Sequence, residues 1–172
     1  GGTQGAGIAL QSRRGELAAA LALAADILRN PAFPESEFEQ LRLQAITGLE
    51  AARKEPGTAV GQAMAKAFDP WPADHPFRFR SIDEQLANLR AMKLDDVRAY
   101  HRDVFGTAEG QIAIVGDFDP AEAKALAEQL FGSWTSPQAY ARVPDPFQAT
   151  KPVAETIETP DKANAVLVGG MT

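Results

Sequence analysis

The chain has 172 residues, of which 45% are hydrophobic and 23% are charged, the composition of a globular protein with room for a core. Its net charge of -6 argues against a general affinity for nucleic acid or anionic membranes, because both need a basic face. No apolar run of about 18 residues predicts a membrane span, and the lack of cysteine excludes disulfides and thiolate metal sites.

Apolar residues at spacings of three and four predict six helices. They cover residues 15–30, a long segment from Glu35 or Ser36 to the stop at Pro56, residues 58–68, a helix that Ser81 opens with Ile82, Leu86 and Leu89 facing inward, and residues 94–105 and 120–130. The long helix carries an apolar stripe of Phe38, Leu41, Ala45, Ile46, Leu49 and Ala52. Its interior Gly48 costs about 1 kcal/mol relative to alanine, which favours close packing against a neighbouring element.

Two of these helices have clear start signals. Ser81 and Glu84 have the spacing of a capping box, and Asp119 before Pro120 has the pattern of an N-cap, with Glu122 completing a box. Between the helices, residues 69–80 predict a folded loop that buries its aromatic side chains.

Short apolar runs predict strands at residues 7–12, 111–115, 153–158 and 163–168. With helices dominant, we expect an α+β fold, in which helices pack on one face of a partial, mostly antiparallel sheet. The sheet would be incomplete, because these strands are few. Residues 133–152 are rich in proline, serine and threonine and predict a connecting arm.

The chain contains two histidines, His75 and His101, and neither belongs to an H-x-x-E-H or H-E-x-x-H motif. We expect His75 to be exposed in a loop and His101 to lie at the surface or boundary of a helix. Asp117 and Asp119 could form a carboxylate pair, but a turn followed by a helix cap explains them better. The pattern identifies no catalytic or metal-ligating residue and leaves substrate-binding residues unknown.

The order of several phrases resembles the insulinase/pitrilysin family of zinc metallopeptidases, the inverzincins. The phrases are ILRNPAFPESEFEQLR, the stop at Lys54-Glu55-Pro56, His75-Pro76, LDDVRAYHRDVF, IAIVGDFD and LFGSW, and TPDKANAV at residues 159–166 resembles the start of a following domain. The resemblance implies repeated α/β domains in two halves that close around a peptide. It also implies zinc held by the histidines of H-x-x-E-H and a glutamate on a later helix, with the motif's own glutamate as general base.

Aligned with that later helix, Gly48 takes the place of the glutamate ligand. Glu50 lies two residues on, about 200° around the helix, and is a poor substitute unless the alignment is wrong. We therefore expect a non-catalytic segment that binds no zinc, with zinc in the catalytic domain of a longer parent protein. The partners expected are other domains or a partner subunit, with a peptide as the parent's substrate.

The resemblance divides the chain into the latter part of a peptidase-like domain (1–134), a connecting arm (135–158) and the start of the next domain (159–172). The expected role is structural, as part of the substrate chamber of a bacterial metalloendopeptidase-like protein, periplasmic or cytoplasmic. The alternative is a scaffold or assembly subunit of the same fold with no peptidase activity. An H-x-x-E-H motif elsewhere in the parent would distinguish the two.

Overall fold

The computed structural model describes residues 7–144, 147, 149 and 151–171. In this part the chain forms a short 3-10 turn, Arg14–Glu16, and six α-helices. The helices are α1 (Leu17–Arg29), α2 (Glu35–Ala52), α3 (Pro56–Ala67), α4 (Ile82–Ala91), α5 (Leu94–Val104) and α6 (Pro120–Phe131). None of these helices is long and apolar enough to cross a membrane.

The helices belong to two compact units. Unit 1 comprises Gly1–Pro34 and Lys93–Val143, with α1, α5 and α6, and unit 2 comprises Glu35–Met92 and Pro144–Thr172, with α2, α3 and α4. The domain limits expected at residues 134 and 158 stay a prediction.

The predicted α+β fold is wrong, because the described residues contain helices and no strand. The runs predicted as strands, residues 7–12, 111–115, 153–158 and 163–168, carry no regular secondary structure. Apart from the half-buried Ile114, their apolar side chains are exposed, and Val115 is 97% exposed. A strand exists only when a second strand satisfies its backbone, and no described segment does this for these runs. The short apolar runs in the sequence indicated extended backbone, but they could not show whether a second strand lies beside each run.

Unit 1 is held by the packing of α1 on α6. Leu21, Ala24 and Ala25 of α1 and Ala123 of α6 are buried. Three of these four side chains are alanines, which allow two helix backbones to approach closely.

Polar side chains of unit 1 make hydrogen bonds to carbonyl groups at the C-terminal end of α6. Arg29, the last residue of α1, donates to the carbonyl of Leu130 at 2.6 Å. The hydroxyl of Thr107 lies 2.9 Å from the carbonyl oxygen of Phe131 and 2.7 Å from that of Trp134. The last carbonyls of a helix have no partner inside it, and the Arg29 guanidinium supplies one for Leu130. The carbonyls of Phe131 and Trp134 also accept from the backbone N–H groups of Trp134 and Thr107, so the Thr107 hydroxyl adds to contacts that already exist.

Unit 2 is built on α2 and α4. Ile82 and Leu86 of α4 are buried. Two ion pairs cross between the helices, from Arg90 to Glu50 at 2.6 Å and from Arg53, just after α2, to Asp83 at 3.0 Å. These pairs are largely exposed and orient the helices more than they stabilise them.

The apolar stripe predicted for α2 is only partly correct. Phe38, Ile46 and Leu49 are half-buried, whereas Leu41 is 63% exposed and Ala45 is also exposed. The stripe is therefore wider than the surface that α4 covers.

The predicted caps of α4 and α6 are both present. The Ser81 hydroxyl accepts from the backbone N–H of Glu84, and the Glu84 carboxylate accepts from the N–H of Ser81, which is the predicted capping box. Asp119 caps α6 by accepting from the N–H groups of Ala121 and Glu122. Among the described residues the Glu122 carboxylate does not return a hydrogen bond to the Asp119 N–H, so the box predicted at α6 is not formed.

At Pro56 the prediction needs correction. The long helix ends at Ala52, and Pro56 is the first residue of α3 rather than the point at which α2 stops. Proline is well suited to a first helical position, because the N–H that it lacks would have no partner there.

The Glu84 carboxylate, which belongs to the capping box and pairs with Arg78, should make the stability of unit 2 depend on pH in the acid range. The hydrogen bond from Arg78, followed by that from the Ser81 backbone, lowers the pKa of Glu84 from 4.5 to about 2. A lowered folded-state pKa gives stability that is present above pH 4.5 and is lost as the pH falls toward 2. We expect the urea midpoint of unit 2, measured by Trp71 fluorescence in a Trp134→Phe background, to fall over this window.

The matched variant is Glu84→Gln, which cannot ionise. It should lower the midpoint at pH 7, and the difference from the parent protein should shrink as the pH approaches 2. A difference that stays constant from pH 7 to pH 2 would contradict the assigned role of the Glu84 carboxylate.

Candidate functional site

The position expected to correspond to a metal ligand, Gly48, lies about one turn before the end of α2 at an exposed site. A Cβ atom built on Gly48 would meet no heavy atom within 4 Å among the described residues. The expectation of close packing at this glycine is therefore wrong for the part of the chain that the structure describes. The site is an open helix surface without a carboxylate.

Glu50, the alternative ligand, is engaged elsewhere. Its carboxylate accepts from the Arg90 guanidinium of α4 at 2.6 Å. Because Glu50 and Gly48 lie about 200° apart around the helix, this carboxylate faces away from the Gly48 surface. A metal at Glu50 would have to compete with an arginine that already neutralises it.

His75 is half-buried in the loop before α4, not exposed as expected. Its ring stacks on Trp71 with a centroid distance of 3.9 Å and an interplanar angle of 6°. Its Nδ1 atom accepts from the backbone N–H of Phe77 at 3.1 Å. The histidine thus organises a folded aromatic loop. Trp71, Phe77 and Phe79 are half-buried, so the prediction that the loop buries its aromatic side chains is only partly correct.

The same loop is tied together by Asp69. One carboxylate oxygen accepts from the N–H of Trp71 at 3.2 Å, and the other accepts from the N–H of Phe79 at 2.8 Å. Arg78 of the loop reaches the Glu84 carboxylate at 2.8 Å. The alternating Phe-Arg-Phe-Arg run is therefore part of a loop structure, and one of its two arginines is committed to an ion pair.

His101 of α5 is a half-buried boundary residue, as expected. It lies beside the C-terminal end of α1. Its Nε2 atom is 2.7 Å from the carbonyl oxygen of Leu28, so the ring N–H donates to an otherwise orphaned helix carbonyl. Aromatic rings surround the imidazole, with centroid distances of 5.0 Å to Phe105, 5.5 Å to Phe33 and 6.3 Å to Trp134.

The backbone of Phe33 supports the assignment of a packing role to this cluster. Its φ of +44° is in the left-handed region, which costs of order 1 kcal/mol for a bulky residue. The edge-to-face contact of its ring with His101 is a compensating interaction.

The possible carboxylate pair is divided between two structural roles. Asp117 pairs with Arg14 at 2.8 Å, and Asp119 caps α6. Both carboxylates are exposed, which confirms the turn-and-cap interpretation.

A shallow groove of about 320 Å³ lies beside α1 and α6 in unit 1. Arg14, Asp119 and Glu122 are its charged lining residues, and the rest of the lining is alanine, glycine, leucine and phenylalanine. Sequence reasoning did not detect this groove, since its walls come from segments about 100 residues apart in the chain. It contains no histidine, serine, cysteine or lysine that could act as a nucleophile.

Within residues 7–144, 147, 149 and 151–171, no three histidine or acidic side chains come together in a group that could hold a metal ion. Each residue considered for chemistry has a structural partner instead. The contacts of these side chains hold helices and a loop in place.

One family model matches the chain, that of the Peptidase M16 inactive domain, over residues 91–170. The match includes α5 and α6, while α1, α2 and α3 lie before it. It confirms the family resemblance on the phrases LDDVRAYHRDVF, IAIVGDFD, LFGSW and TPDKANAV, which all lie within it. No curated protein matches the chain.

The open site at Gly48 leads to a stability prediction. Gly48→Ala should raise the free energy of unfolding of unit 2 by about 0.5–1 kcal/mol, because alanine is the better helix former and nothing hinders its methyl group. Urea unfolding followed by Trp71 fluorescence in the Trp134→Phe background would measure it.

The control is Gly106→Ala in unit 1, whose unfolding is followed through Trp134 in the Trp71→Phe background. Its Cβ would lie 2.7 Å from the backbone nitrogen of Ser136, so this variant should lose stability. Destabilisation by Gly48→Ala would show that the surface of α2 is covered in solution.

The contact between His101 and Leu28 can be separated from the packing of the ring. His101→Phe keeps an aromatic ring but removes the donor, and should destabilise unit 1 by about 1–3 kcal/mol through the unpaired carbonyl. Unfolding of the Trp71→Phe background, followed through Trp134, would measure the change.

His101→Gln is the companion variant, since its amide nitrogen replaces Nε2 as a donor. If His101→Phe loses less free energy of unfolding than His101→Gln, ring packing and not the hydrogen bond is the main contribution, and the assigned cap is contradicted. A smaller loss of free energy of unfolding in His101→Gln than in His101→Phe supports the hydrogen bond to the Leu28 carbonyl as the main contribution.

Proposed function

We propose, from the membership of residues 91–170 in the M16, or insulinase/pitrilysin, peptidase family, that this chain is a non-catalytic structural segment of a zinc-metallopeptidase-like protein. The parent protein would hydrolyse peptides with zinc bound in a separate catalytic domain. This chain would contribute to the wall of the chamber that encloses the peptide.

The observation that carries the proposal is the family match to an inactive domain, together with the chemistry at α2. Gly48 offers a hydrogen atom where the family resemblance expects a carboxylate, and Glu50 is paired with Arg90. A catalytic zinc needs three protein ligands and an open position. Neither α2 nor the two histidines supply such a set.

The surfaces of the helices support a role in packing against other polypeptide. On α1, Leu23 is 60% and Ile27 is 51% exposed, one helical turn apart. On α2, Leu41 and Leu43 are 63% and 65% exposed. Apolar side chains of this size on helix surfaces are typical of faces that other domains cover, which is what a chamber wall requires.

Metal analysis tests the non-catalytic assignment. The purified chain would be dialysed against a small excess of Zn²⁺ and then against metal-free buffer, and retained zinc would be measured by mass spectrometry. We expect no stoichiometric zinc. The variants Glu50→Gln and Gly48→Glu should behave in the same way, because one carboxylate does not make a zinc site.

Stoichiometric zinc that is lost in Glu50→Gln would overturn the proposal, because it would make Glu50 a ligand. In the full-length parent, Glu50→Gln should leave peptidase activity unchanged. A parent that folds but hydrolyses no peptide would favour the scaffold subunit over the peptidase.

A further inference from the structure

We propose that residues 159–171, the strap, are a detachable segment that the ion pair between Lys162 and Glu55 latches beside α3. When this latch opens, the strap leaves the side chains of Met64 and Phe68 uncovered. The device lies within unit 2 and does not depend on the proposed function.

The latch is a charged contact near the start of the strap. Nζ of Lys162 lies 3.0 Å from Oε1 of Glu55, the residue that precedes α3. The backbone N–H of Lys162 donates to the carbonyl of Thr159, so a turn holds the lysine in place. The Lys162 side chain is 27% exposed, whereas every residue from 163 to 171 is exposed. The contact with Glu55 is therefore the main feature that fixes the strap.

A second contact lies near the other end of the strap. A Cβ atom added to Gly170 would lie 3.0 Å from Cε of Met64 and 3.2 Å from Cε2 of Phe68, the residue directly after α3. The backbone of Gly170 thus lies against these two half-buried side chains. At Gly169 an added Cβ would meet no heavy atom within 4 Å among the described residues. The close approach is therefore confined to Gly170.

Between the latch and Gly170, the backbone of the strap is not tied to the rest of the described chain. No backbone hydrogen bond joins residues 163–171 to another described residue. Leu167 is 99% exposed, so its side chain adds no packing. A segment with so few contacts detaches at a low free-energy cost, and it does so without unfolding the helices that it leaves.

The ion pair decides how often the strap detaches. An exposed pair changes an equilibrium by at most about fivefold, and one glycine contact covers little apolar surface. Attached and detached forms are therefore both populated. Because the Glu55 side chain is 60% exposed, dissolved salt screens its attraction to Lys162. The strap is thus a switch that opens when ionic strength rises or when either charge is removed.

Limited proteolysis with trypsin tests the latch. Trypsin must take the Lys162 side chain into its own acidic pocket to cut the Lys162–Ala163 bond, so this cleavage follows the population of the detached strap. The reference is the Arg142–Val143 bond, at an exposed arginine outside the strap. Mass spectrometry would give both initial rates. Glu55→Gln should raise the rate at Lys162 about two- to fivefold and leave the rate at Arg142 unchanged.

Glu37→Gln is the matched control, because it removes an exposed carboxylate from α2 with the same change of net charge. It should leave both cleavage rates unchanged. Salt is the second variable. Raising NaCl to about 1 M, where the Debye length is about 3 Å, should speed cleavage at Lys162 relative to Arg142 in the unmodified chain. The same salt should have no such effect on Glu55→Gln, which has no charge pair left to screen.

Two neighbouring glycines test the contact at the other end. Gly170→Val places a side chain against Met64 and Phe68, and should speed cleavage at Lys162 because it pushes the strap away. Gly169→Val introduces the same side chain into open space and should leave the rate unchanged.

Equal cleavage rates at Lys162 in the unmodified chain and in Glu55→Gln would overturn the proposal. Equal acceleration at the Arg90–Ala91 bond, inside α4, would also overturn it, because unit 2 as a whole would then be unfolding. Equal acceleration by Gly169→Val and Gly170→Val would reject the contact with α3, and with it the strap.

Discussion

The need of every backbone N–H and C=O group for a partner organises this protein. The six helices meet that need internally over most of their length. The extended apolar runs do not, because they find no second strand among the described residues. The result is a chain whose folded units are helical and whose most apolar extended segments lie in solvent.

The same constraint explains the polar side chains at the helix ends. His101 and Thr107 reach the last carbonyls of α1 and α6, and Arg29 crosses from one helix end to the other. His101, which the sequence offered as a candidate for chemistry, is thus used to hydrogen-bond a carbonyl at the end of a helix. Within unit 1 this also fixes the aromatic cluster of Phe33, Phe105 and Trp134 around one imidazole.

The non-catalytic role proposed for this chain needs shape and surface more than reactive groups. On α2 the position at Gly48 is open, and the nearby carboxylate of Glu50 helps to join α2 to α4. A glycine at position 48 is therefore compatible with an intact helix pair. The apolar residues that remain exposed on α1 and α2 are the features that an assembly with other polypeptide would use.

The sequence by itself determined where the helices lie, because each has its own apolar period, and α4 and α6 also have clear start signals. The box at Ser81 and the cap at Asp119 involve residues two or three positions apart. The family resemblance was also readable, since the phrases at residues 94–105, 112–119 and 130–134 occur in order within the matched residues. Only the tertiary structure decided that the apolar run at residues 111–115 is not a strand, that Leu41 is not core, and that His101 closes α1. The physical reason is that a helix and its cap are satisfied by neighbours in the chain, whereas a strand, a core position or a capped carbonyl needs a partner from a distant segment.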